Sequence, residues 1–108
     1  MFGMYNIKEM DVETLDASKS GIHLIDVRTE GEVARGVIDG ATHIPLHLLP
    51  LRATEIPQDK PVVIYCQSGA RSAQACAFMT SKGFENTHNL VGGIMAWARS
   101  GKPLAMMA

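Results

Sequence analysis

Short runs of apolar residues alternate along this chain with segments of helical spacing, the pattern of a parallel α/β sheet covered by helices. Pro61-Val62-Val63-Ile64-Tyr65 is the clearest strand: uncharged, rich in β-branched residues and introduced by proline. Its unbroken apolar character predicts burial on both faces, as in a central parallel strand. Ile22 to Ile25 reads as another strand, ending at Asp26-Val27-Arg28, and Thr87 to Leu90 as the last. Gly40 to Pro45 reads as a short strand and turn.

Helices are predicted between these runs. Asp11 caps the first, which runs to about Lys19 and stops at Gly21. Thr29 and Glu32 have capping-box spacing, so a short helix follows and ends at Gly36. A helical patch spans Leu46 to Glu55 around Pro50. Ser72 to Lys82 forms a helix closed by Gly83, and Ile94 to Ser100 a final one after the Gly92-Gly93 turn. The tail from Leu104 to Ala108 is expected to fray.

A chain of 108 residues fits one compact domain, here taken as residues 1–108. The expected fold class is α/β: a small three-layer domain with a central, mainly parallel sheet flanked by helices. Ten basic against eleven acidic residues leave no basic excess, so neither nucleic acid nor a membrane surface is an expected partner. The N-terminus shows no basic-then-apolar leader and no apolar run approaches membrane-spanning length, so a cytoplasmic location is expected.

Cys66 ends the central strand, and Cys76 lies in the helix that follows. At ~1.5 Å of rise per residue, that separation exceeds the reach of one disulfide, so both are expected as free thiols. Neither CxxC nor a helical HxxxH is present; Pro45 interrupts the His43/His47 pair, and no metal site is expected.

The segment Cys66-Gln67-Ser68-Gly69-Ala70-Arg71-Ser72 carries the candidate chemistry. Ligands of open parallel sheets bind beyond the carboxyl ends of the strands, where this loop lies. A tight loop entering a helix turns amide N–H groups inward, and they favour an anion. Gly69 permits the turn, and Arg71 can add a forked positive charge. The same surroundings lower a thiol pKa, making Cys66 a candidate nucleophile.

With these residues in view, the chain resembles the single-domain rhodaneses, thiosulfate-type sulfurtransferases, from about residue 22 to 103. The resemblance rests on Asp26-Val27-Arg28, Glu32, Gly36-x-Ile38-x-Gly40-Ala41, Ile44-Pro45 and Cys66-x-x-Gly69-x-Arg71-Ser72. Gly83-Phe84, Leu90, Gly92-Gly93-Ile94, Ala96-Trp97 and Gly101-x-Pro103 extend it. Val37 and His43 depart from the family, which often has His and Asn there.

The resemblance implies that Cys66 carries sulfur as a persulfide, that Gln67, Ser68, Gly69, Ala70 and Arg71 cradle it, and that no cofactor is needed. It implies a small anionic sulfur donor such as thiosulfate, with cyanide in the assay, or a thiol or protein in the cell, as acceptor. Ser72, Asp26 and Arg28 are candidate supports of the loop, although Asp26 and Arg28 read equally as a structural ion pair or turn cap. Cys76 and Trp97 are expected in the core, and His23 and His88 as satisfied structural residues. A sulfur-carrier module remains an alternative. Cysteine phosphatases and arsenate reductases also use a Cys…Arg loop. Four residues separate Cys66 from Arg71, whereas five do so in the phosphatases, and the loop has no acidic residue to act as general acid.

Overall fold

The computed structural model describes residues 7–107. Five strands form one sheet: β1 (Lys8–Met10), β2 (His23–Asp26), β3 (Thr42–His43), β4 (Val62–Tyr65) and β5 (Thr87–Leu90), in the order β1-β5-β4-β2-β3. Every neighbouring pair is parallel. β4 sits at the centre, and its four residues are all buried. Val62 and Ile64 face one layer, Val63 and Tyr65 the other, as the two-residue period of a strand requires.

One apolar layer packs α3 (Leu49–Arg52) and α4 (Ala70–Ser81) on the sheet through Leu49, Ala75, Cys76 and Met79. The opposite layer packs α1 (Val12–Ser18) and α5 (Gly93–Arg99) through Leu15, Ile94 and Trp97. The remaining helix, α2 (Glu30–Val33), follows β2. Asp11 caps α1 by accepting from the Thr14 amide at 2.8 Å. Thr29 and Glu32 complete the capping box of α2.

Three expectations change. β1 is an additional strand, unmarked in the sequence because only three residues pair, against β5 on one side. α4 starts at Ala70 rather than Ser72: Gly69, at φ +111°, turns the chain into the helix with no side-chain cap. The tail is held rather than frayed as far as Ala105, which exchanges two 2.8 Å backbone hydrogen bonds with Val37. Trp97 Nε1 also donates to the Pro103 carbonyl at 2.8 Å, so its buried ring anchors the tail from below.

Because the strands run parallel, their carboxyl ends share one edge. The register sets Asp26 beside Tyr65 and Ile64 beside Asn89. Cys66, Val27-Arg28 and the Gly92-Gly93 turn therefore emerge together. Among the described residues, no helix is long and apolar enough to cross a membrane.

Candidate active site

Cys66 leaves the end of β4 with its side chain buried, and the chain curls back over it. The Gly69 amide donates to its Sγ at 3.1 Å, the Ser72 amide at 3.4 Å, and the Ser72 hydroxyl oxygen lies 3.3 Å away. Burial alone would push the thiol pKa up. Hydrogen bonds from Ser72, Gly69 and Ser68 outweigh that effect and hold it below the ordinary thiol value. Gln67 and Ser68 are exposed, while Ala70 and Arg71 belong to the first turn of α4.

The loop is braced from behind by α5. Ile94 N donates to the Cys66 carbonyl at 3.0 Å and Met95 N to that of Gln67 at 3.1 Å. These bonds tie both carbonyls to the first turn of α5. Gly93 makes the approach possible: at φ +62°, a Cβ there would meet the Cys66 and Gln67 carbonyl oxygens at 2.5 Å. Asn89, on β5, bridges the loop and the helix by accepting from the Ser72 hydroxyl and donating Nδ2 to the Gly69 carbonyl at 3.2 Å.

Arg71 does not stand as a free cation. Its two terminal nitrogens donate to the two carboxylate oxygens of Glu32, each at 2.8 Å. Glu32 Oε1 also accepts from the Thr29 amide at 3.0 Å, so the capping box of α2 fixes the arginine of α4. Arg71 holds the Glu32 carboxyl well below its ordinary range, at about 2, and Glu32 in turn raises the Arg71 pKa.

Asp26 and Arg28 form a buried bidentate ion pair, with Arg28 Nε at 3.1 Å from both carboxylate oxygens and Nη2 at 2.8 Å from Oδ2. Arg28 Nη2 also donates to the Gly36 carbonyl at 2.7 Å, and its ring neighbour Tyr65 accepts from the Ile38 amide at 3.0 Å. These bonds hold the segment from Gly36 to Ile38 against the sheet; none joins Asp26 or Arg28 to residues 66–72. His43, a family departure, uses that position to bond Nε2 to the Arg28 carbonyl at 2.7 Å.

A cleft of about 450 Å³ opens beside the loop, with Gln67, Glu32, Arg35, Met95 and Leu104 among its walls. Cys76 is fully buried in the core, and burial, together with Cys66, pushes its pKa up to about 12. His23 pairs with Asp59 at 2.8 Å, but His88 is not satisfied among the described residues: its Nδ1 is buried and meets no hydrogen-bond partner there. Burial lowers the His88 pKa, with Lys8 adding to the effect, which favours the uncharged ring.

Sequence reasoning did not assign Asn89 or Gly93 to the site, and it read Glu32 only as a cap and a motif match. Gly92-Gly93 carried a usable signal, since two glycines before a helix indicate close backbone approach. Asn89 carried none, because its meeting with Ser72 depends on strand order.

Fold and site together define a parallel α/β domain whose central strand delivers one buried cysteine into an amide-lined loop. The chain belongs to the rhodanese-like domain family, whose domain matches residues 11–100. A sulfurtransferase from Allochromatium vinosum is 48% identical over 101 residues, covering 91% of this chain and 94% of that protein. The thiosulfate sulfurtransferase GlpE of Stutzerimonas stutzeri is 30% identical over 95 residues, 87% of each. A rhodanese-related protein from Thermoplasma volcanium shares the fold with a TM-score of 0.84 over 93% of this chain and 99% of its own, at 24% identity. By this kinship the chain is of the sulfurtransferase type.

Proposed function

We propose that this protein transfers a sulfane sulfur from a small anionic donor such as thiosulfate to a thiophilic acceptor through a persulfide on Cys66. One observation carries the reading: the Cys66 sulfur, at the end of β4, faces the Gly69 and Ser72 amides and the Ser72 hydroxyl. That donor set stabilises a thiolate on Sγ, both as the attacking group and as the group that leaves when the sulfur is passed on. The thiolate attacks the outer sulfur of thiosulfate, a new S–S bond forms, and the old one breaks with its electron pair leaving on sulfite. Cyanide, or a thiol, then takes the outer sulfur and returns Cys66 to the thiolate. The cycle needs no metal or organic cofactor and gives ping-pong kinetics.

A second reading, a sulfur carrier with little small-molecule turnover, is favoured by the Glu32–Arg71 pair. A neutralised arginine leaves capture of a doubly charged donor to the amides, which suits loading and discharge by a thiol or protein partner. Thiocyanate formation from thiosulfate and cyanide separates the two readings. Turnover lost in Cys66→Ser supports the enzyme; negligible turnover by a wild-type protein that still acquires sulfur supports the carrier.

A further inference from the structure

The Ser72 hydroxyl has one hydrogen and two acceptors within reach. Its oxygen stands 3.3 Å from the Cys66 sulfur and 2.5 Å from Asn89 Oδ1. The orientation of the Asn89 amide is set at its other end, where Nδ2 donates to the Gly69 carbonyl at 3.2 Å. The reverse orientation would set two carbonyl oxygens against each other. The atom that meets Ser72 is therefore an acceptor only, on a residue that is 5% exposed.

We propose that Asn89 is a positioning residue that competes with the Cys66 sulfur for the single Ser72 proton and so biases the site toward its sulfur-loaded state. The loading half of the proposal rests on the persulfide reading above. In the thiol form, the S–H donates to the Ser72 oxygen and the hydroxyl to Asn89. On ionisation the hydroxyl turns to the sulfur, and Asn89 Oδ1 is left buried without a donor. Loading removes this conflict. The bond to the outer sulfur moves the charge outward, Sγ becomes a weak acceptor, and the hydroxyl returns to Asn89. In discharge, the acceptor's nucleophilic atom bonds to the outer sulfur. The S–S bond breaks with its electron pair left on Sγ, and the hydroxyl swings back.

The charged and titratable groups around the thiol leave this competition to Ser72 and Asn89. Glu32 on α2 is paired with Arg71 on α4, and Asp26 on β2 is paired with Arg28. Cys76, on α4, is held protonated by burial.

The test is the Cys66 thiol pKa, read from the pH dependence of its alkylation in wild type, Asn89→Ala, Ser72→Ala and the double variant. Asn89→Ala should lower the pKa by roughly one unit and Ser72→Ala should raise it. Asn89→Ala should have no effect once Ser72 is alanine. Asn89→Leu, which refills the amide's volume, should shift the pKa in the same direction as Asn89→Ala and serves if the alanine variant does not fold. Preloaded Asn89→Ala protein should also release sulfur to cyanide roughly threefold faster, following the better leaving thiolate. An unchanged or raised pKa in the Asn89 variants would overturn the proposal. An equal fall with and without the Ser72 hydroxyl would do so too, by assigning the effect to the Gly69 contact. Failure of wild type to load sulfur would instead overturn the persulfide reading, with the alkylation series still deciding the proton competition.

Discussion

Glu32 holds Arg71 through both carboxylate oxygens at 2.8 Å, across 39 residues of chain. The same carboxylate closes the capping box of α2. The arginine at the mouth of the cysteine loop is thereby fixed in place and neutralised at once. One carboxylate ties the helix after β2 to the helix after β4.

This pair should show in acid. The folded Glu32 pKa is about 2 against an ordinary value of 4.5, so the pair stabilises the fold above the ordinary value. That contribution is lost as pH falls from 4.5 toward about 2. Glu32→Gln should flatten the decline of stability across that window, by about 1 kcal/mol given the partial exposure of both side chains. Urea unfolding at a series of pH values checks it; parallel curves for the two proteins would contradict it.

Gly93→Ala should damage the loop without touching the cysteine. The added Cβ would sit 2.5 Å from the Cys66 and Gln67 carbonyl oxygens, at a backbone φ of +62°. A cost of at least about 2 kcal/mol is expected from the conformation and the clash together. Sulfur-transfer activity should fall further than the loss of folded protein explains, as activity per folded molecule would show.

Asp26→Ala leaves the Arg28 guanidinium buried without its anion. A loss of about 3–5 kcal/mol is expected, because the desolvation of the remaining charge is no longer offset. Denaturant titration measures it. A loss under about 1 kcal/mol would mean that Arg28 escapes to solvent.

The two thiols should separate cleanly in alkylation. Both thiols are buried, but hydrogen bonds at the end of β4 hold the Cys66 pKa below the ordinary thiol value, whereas Cys76, inside α4, has no such donors to offset burial and its pKa is pushed up to about 12. Native protein at neutral pH should take one label, at Cys66, and unfolded protein two. Equal labelling of the native thiols would contradict the packing of α4.

Much of this architecture is legible in the sequence because local chemistry and tertiary structure agree. The Val62–Tyr65 run is apolar for the reason that it is covered on both sides, and Thr29 and Glu32 cap a helix where their spacing says they should. The departures have physical causes. β1 is three residues long and paired on one side, too short to show a period. The start of α4 depends on a positive φ at Gly69 in place of a side-chain cap. Arg71 looked available for an anion because its partner lies on another element. Asn89 reads as one polar residue in a strand until the order β5-β4 sets it beside the loop.

A sulfur carried on Cys66 would show in the intact mass after treatment with thiosulfate and removal of excess donor. Wild type should gain one sulfur, removed by cyanide with release of thiocyanate, and Cys66→Ser should gain none. A wild-type mass unchanged by donor, or sulfur acquired equally by the Cys66→Ser protein, would contradict it.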